Sequence, residues 1–254
     1  TTVCLVACCL GNGTCADRCV AHAIPFQHRE AQESPWFWLP LPLNVEGRES
    51  TITNLLIAGA AGSAKSHGMR MDFYQDCRTI KGFRGLMMRC TYDELYKNHL
   101  QWMPSEAKAL GDGWKFSGGG GGQPKQMSFE PMDAIIFMGY CEHDADIARH
   151  LGAEYDKIGF EEMTTFLPRA INEITPRARG AYSSREYRET HGIYGRTVGA
   201  SNPGGRAMLY CHDHYIARKV DPADYPHYDP ALYGHIVATL ADNPYLAEDY
   251  DRRT

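Results

Sequence analysis

Short apolar runs alternate with amphipathic stretches along most of the chain, and this texture begins near residue 51. Residues 52–58 are a compact apolar run followed by small residues, which predicts a strand. A Gly/Ala/Ser turn comes next, then helical spacing from about 65 to 77. Residues 85–89 predict a second strand, and a helix is expected from about 92 towards 110. The five consecutive glycines at 118–122 form a flexible loop between two short strand patterns at 114–116 and 126–129, as in a hairpin. Further on, the pattern predicts strands over 134–140, 155–160 and 195–200 and helices over 143–150 and 166–174. Strands that alternate with helices imply an α/β domain around a largely parallel sheet. No internal repeat or coiled-coil heptad is visible.

Residues 1–50 lack this periodicity, and Pro25, Pro35, Pro40 and Pro42 break any helix there. The aromatic–proline run at 34–40 reads as an extended packing segment. The expected organisation is an irregular N-terminal extension over 1–50 and one α/β domain over 51–254.

Composition narrows the picture only a little. Hydrophobic residues make up 43% and charged residues 22%, the proportions of a globular domain. The net charge of −5 gives no overall basic footprint, so any nucleic-acid contact would come from a local patch. No apolar run approaches the ~20 residues that cross a bilayer, and no membrane partner is expected. The nine cysteines are odd in number and irregularly spaced, which does not suggest a disulfide framework and points to a reducing cytosol. Five of them crowd the start of the chain. Cys4, Cys8, Cys15 and Cys19 with His22 would make a tetrahedral zinc set, but their spacings are wider than structural zinc sites use. The run before Cys8 looks like a lipid-attachment box without the basic region of a signal peptide. An extension with reduced thiols is the preferred reading.

Three motifs carry chemistry. The first is Gly59-Ala60-Ala61-Gly62-Ser63-Ala64-Lys65-Ser66, which follows an apolar strand and opens a helix. Glycines let backbone N–H groups turn towards phosphate oxygens, and the helix N-terminus favours an anion. Lys65 would reach the β- and γ-phosphates of ATP, and Ser66 would ligate Mg²⁺. Ala64 stands where a glycine is usual. The competing reading is an ordinary small-residue turn. The second motif is 155–162, an apolar strand ending in Glu161-Glu162. Glu161, in place of the commoner aspartate, would hold the Mg²⁺ hydration shell, and Glu162 would deprotonate the attacking water. A solvated acidic strand end is the alternative. The third is Ser201-Asn202-Pro203-Gly204-Gly205 at another strand tip, where Asn202 would sense the γ-phosphate. It would otherwise be a plain reverse turn.

Taken in order, the 59–66 loop, residues 86–95, residues 152–162 and Ser201–Gly205 resemble the ATPase domain of tailed-phage terminase large subunits. The tail at 236–246 resembles the segment that closes that motor domain, and the likeness covers about residues 52–250. It implies a P-loop NTPase fold with a mainly parallel central sheet flanked by helices and a small C-terminal lid-like segment. It implies Mg²⁺-dependent ATP hydrolysis that drives double-stranded DNA into a procapsid. Implied partners are the portal protein, the small terminase subunit and a ring of identical copies, with the isolated chain a monomer in the host cytoplasm. Arg149 lies where the family often places a trans-acting arginine, with Arg177 and Arg179 as alternatives or DNA-facing cations. Gln32, or Gln27, would meet adenine. The family often has an arginine inside the loop, where this chain has Ala61. No nuclease activity is expected, because the family's nuclease carboxylates follow the motor and are not in this sequence. His212 and His214, two apart around Asp213, would share one face of a strand, but without a third ligand they read as structural. The alternatives are another P-loop nucleic-acid motor such as a helicase, or a non-catalytic nucleotide- or zinc-binding module.

Overall fold

The computed structural model describes residues 52–63, 65–120, 125–192 and 195–238. The N-terminal extension, with its cysteines, Gln27 and Gln32, lies outside the described residues, as do Ala64 and positions 239–254.

Eight strands form one sheet: β1 Asn54–Gly59, β2 Arg84–Arg89, β3 Trp114–Ser117, β4 Gln126–Phe129, β5 Ala134–Tyr140, β6 Lys157–Glu161, β7 Arg196–Ser201 and β8 Tyr233–Ala238. Their order across the sheet is β3-β4-β5-β2-β6-β7-β1-β8. The pairings β5/β2, β2/β6, β6/β7, β7/β1 and β1/β8 are parallel, and β4 runs against both of its neighbours. The expected hairpin at 114–129 is therefore β3/β4. β8, which the apolar pattern does not predict, takes in the first residues of the expected closing segment, 236–238; positions 239–246 lie outside the described residues.

Period-two alternation assigns the strand residues to two cores, one on each face. Leu55, Ile57, Met87, Ile136 and Val198 pack on the face covered by helix α1 (Lys65–Thr79), whereas Leu56, Leu86, Met88, Ile158 and Phe160 pack on the other. Phe73 of α1 lies so close to the sheet that a methyl group at Gly85 or Gly159 would come within 2.8 or 2.9 Å of its ring. Those two strand glycines let the helix seat.

The predicted helix from 92 to 110 is divided. It begins as α2 (Tyr92–Leu95), capped by the Thr91 side chain, widens into a π-helical turn over Tyr96–Leu100, and resumes as α3 (Met103–Leu110). In the wide turn the Gln101 N–H reaches the Tyr96 carbonyl, five residues back. The remaining helices are α4 (Asp144–Leu151), α5 (Pro168–Ile174), α6 (Arg185–His191) and α7 (Met208–Cys211). α7 also widens into a π-helical turn, over His212–Ile216.

Candidate functional site

Parallel strands deliver all their carboxyl ends to one edge of a sheet, where α/β proteins place their sites. Here β6, β7 and β1 are adjacent. The three motifs at their ends, some 140 residues apart in sequence, therefore converge.

The loop between β1 and α1 turns at Gly62, whose φ of 83° is open to glycine and strained for a residue with a Cβ. Lys65 curls back into this loop. Its Nζ donates to the carbonyls of Gly59 (3.1 Å) and Ala60 (2.5 Å), to Ser63 Oγ (3.2 Å) and to Asn202 Oδ1 (2.7 Å). Burial lowers the Lys65 pKa, while Glu162 and Glu161 pull it back up.

Asn202, one residue beyond β7, links this ammonium to Glu162. Its Nδ2 donates to Glu162 Oε1 (3.0 Å) and its backbone N–H to Oε2 (3.2 Å). Glu162 has a left-handed backbone, φ 51° and ψ 52°, a conformation that costs a non-glycine residue ~1 kcal/mol or more. The Thr165 N–H and hydroxyl, both donating to the Glu162 carbonyl, hold it there. Ser201 braces the arrangement through a 2.6 Å hydroxyl contact with Thr164.

Glu161 has a different environment. It is 2% exposed. Ser66 Oγ donates to its Oε1, and its Oε2 meets His99 Nε2 at 2.5 Å and Arg89 Nε at 3.1 Å. Burial alone would raise this carboxyl, but His99, Arg89 and Ser66 outweigh it and bring the pKa down to about 2. His99 is fully buried, and burial lowers its own pKa despite the carboxylate. It is thus a neutral imidazole whose Nε2–H donates to Glu161 while Nδ1 accepts from Arg70 Nη1 (3.4 Å).

Neither His99 nor Arg89 has a role that the sequence reveals. Arg89 ends a strand within the 86–95 block, so its position is visible there though its partner is not. His99 lies in a helical stretch 62 residues from Glu161, with no local signal. Asp156, inside the 155–162 motif but given no role there, is a structural clamp. Its carboxylate accepts from the Arg84 and Ala181 N–H groups, the Ser184 hydroxyl and Arg188 Nε.

The other candidates are elsewhere. Arg149 is exposed on the last turn of α4, where it pairs with Asp146 (3.0 Å) and donates to the Tyr140 hydroxyl (3.0 Å). Arg177 and Arg179 lie near the amino end of β6, at the opposite edge of the sheet. Arg177 donates to the Leu151 carbonyl, and Arg179 pairs with Glu154. The expectation of a shared strand face for His212 and His214 is corrected: they are on a π-helical turn, which points them apart. His212 is exposed beside Asp213. His214 is buried against Tyr210, Tyr225 and Tyr228.

Hard oxygen donors suit Mg²⁺, which takes few protein ligands and completes its shell with water and phosphate. The Ser66 hydroxyl and an ionised Glu161 oxygen facing each other fit that requirement.

This is a mixed, mostly parallel eight-stranded sheet flanked by helices, with its polar constellation on the carboxyl edge of three adjacent strands. Among solved structures, that is the fold of phage large terminases. The large terminase of a thermophilic bacteriophage aligns with a TM-score of 0.63 at 14% identity, covering 87% of this chain and 49% of that one. The same terminase in complex with ADP aligns at 0.61 with 15% identity, covering 90% of this chain and 49% of that one. Its complex with ATP-gamma-S aligns at 0.58 with 13% identity, covering 87% and 48%. The chain thus spans about half the length of these terminases. No family model and no curated protein matches the sequence.

Proposed function

We propose that the chain is the ATP-hydrolysing motor portion of a viral DNA-packaging machine, a terminase large subunit that drives double-stranded DNA into a procapsid. The observation that carries this reading is the linked chain Lys65–Asn202–Glu162 alongside the Ser66–Glu161 contact. A phosphate-binding lysine, a hydroxyl with an ionised carboxylate, and a second carboxylate tied to an amide are the parts that phosphoryl transfer to water requires. The ADP and ATP-gamma-S complexes of the thermophilic phage terminase, which shares the fold, support nucleotide binding.

In this reading the 59–66 loop wraps the phosphates, with Lys65 exchanging its loop carbonyls for β- and γ-phosphate oxygens. Ser66 and Glu161 would hold Mg²⁺, Glu161 through water, and the ion would supply charge neutralisation for the phosphates. Glu162 takes the proton of the attacking water. Asn202 touches both Lys65 and Glu162, so it is the group through which a change at the γ-phosphate reaches the Pro203-Gly204-Gly205 turn. Arg149 acts on a neighbouring copy in a ring docked on the portal, with the small terminase subunit as a further partner.

Lys65→Ala tests the core of this reading. The variant should lose ATP hydrolysis and most nucleotide affinity, since the loop's cation is gone. Near-normal turnover would remove the phosphate-loop assignment.

A further inference from the structure

We propose that His99 is a positioning residue that fixes which oxygen of Glu161 is presented to the metal, and that it thereby sets the site's preference for Mg²⁺ over Ca²⁺. The inference rests on the reading of Ser66 and Glu161 as the Mg²⁺ holders.

A glutamate in place of aspartate adds one rotatable bond to the carboxylate arm. Left alone, the longer arm samples more orientations and can offer both oxygens to a cation. Here the two oxygens are divided. Oε1 faces Ser66, and Oε2 is taken by His99 Nε2 at 2.5 Å and Arg89 Nε at 3.1 Å. The imidazole is itself held at both ring nitrogens, because Arg70 Nη1 reaches Nδ1. Arg70 in turn donates to the Asn98 carbonyl (3.0 Å) and to both oxygens of Glu106 (3.0 Å each). His99 reaches this place through the π-helical turn over Tyr96–Leu100. Such a turn is rare, lies often at functional sites, and shifts every later residue around the helix relative to a regular one.

With Oε2 engaged, Glu161 offers a single oxygen. One fixed oxygen can accept from a water in the compact octahedral shell that Mg²⁺ keeps, whereas the bidentate carboxylate that Ca²⁺ readily takes needs both oxygens. Partners behind a metal-binding carboxylate commonly change metal affinity when removed.

The test uses the full chain and ADP, with affinity measured by calorimetry against MgCl₂ or CaCl₂. His99→Gln places an amide N–H near the position of Nε2, while His99→Asn is polar but too short to reach it. In His99→Asn, metal-free ADP affinity should hold, while the Mg²⁺ concentration for half-maximal effect rises about tenfold and the Mg²⁺/Ca²⁺ preference shrinks. His99→Gln should recover both to within about threefold. Equal behaviour of the two variants, or a normal Mg²⁺ response in His99→Asn, overturns the inference alone. A wild-type chain that binds ADP with no response to Mg²⁺ overturns both the inference and the metal assignment beneath it.

Discussion

Glu161 and Glu162 carry the same side chain one position apart, yet one ends a strand fully buried while the other turns into a left-handed conformation beside Asn202. Their substitutions should therefore differ. Glu162→Gln keeps its shape and its place beside Asn202 but cannot accept a proton. ATP affinity should persist while turnover falls ~10² to 10⁴-fold. Glu161→Gln should instead weaken the Mg²⁺ dependence of binding. A nearly silent Glu162→Gln, with Glu161→Gln sparing binding and abolishing turnover, would reverse the two roles. A third carboxylate makes a pH prediction. Burial pushes Glu106 up, but His67, Arg70 and Tyr74 bring its carboxyl down from 4.5 to about 2. A depressed carboxyl stabilises the fold fully above 4.5, and that contribution is lost as pH falls through about 2. At 1.36 kcal/mol per unit this is up to about 3 kcal/mol. Unfolding followed from pH 6 to pH 2 should show wild type losing stability that Glu106→Gln never had; parallel curves would contradict the assignment. That Lys65, Ser66, both glutamates and Asn202 come together was legible because each lies at or just beyond a strand end. His99 and Arg89 were not, because a contact between distant segments leaves no local pattern.

The strands β1 to β7 could be read from apolar runs and, for the β3/β4 hairpin, from the glycines between them; the edge strand β8 was not predicted. Helical continuity could not be read. Spacing over 92–110 fits one helix, but the stretch divides into α2, the π-helical turn that carries His99, and α3, which has in its first turn Pro104, a residue without the N–H to continue the helix before it. Lys157 is the plainest case of a residue whose setting sequence conceals. It is a charged residue in an apolar strand, yet it is fully buried between Asp72 and Asp76, each 2.6 Å away, one turn apart on α1. Arg196 also reaches Asp76, at 3.2 Å. This cluster fastens α1 to the amino ends of β6 and β7. Lys157→Met would leave two buried carboxylates with one cation, and removing one member of a buried pair costs ~3 to 5 kcal/mol. The urea midpoint should drop accordingly, with denaturant sensitivity little changed. A shift under ~1 kcal/mol, the size seen for exposed pairs, would mean the cluster is solvated.

At the scale of the whole molecule, the candidate site has no arginine in the 59–62 loop of its own chain, and Arg149 lies exposed on α4. Supply of that charge by a neighbouring copy predicts a slow ATPase when dilute. An arginine finger is worth ~10³ to 10⁵ in rate, so specific activity should climb with protein concentration or on assembly with portal and DNA. Arg149→Ala should abolish the climb. Mixing it with Glu162→Gln, which keeps the arginine but lacks the base, should restore turnover; no restoration, with Arg149→Ala as active as wild type, would turn attention to Arg177 or Arg179. Three-dimensional likeness to large terminases at 14% identity is legible in four short motifs in order, while the proposed ring and partners leave no mark on one chain. The most direct test of the account is Mg²⁺-dependent ATP hydrolysis by the purified chain with and without double-stranded DNA. The account predicts turnover that requires Mg²⁺, rises with DNA and vanishes in Lys65→Ala. Tight ATP binding with no hydrolysis under any of these conditions, assembled or dilute, would contradict it.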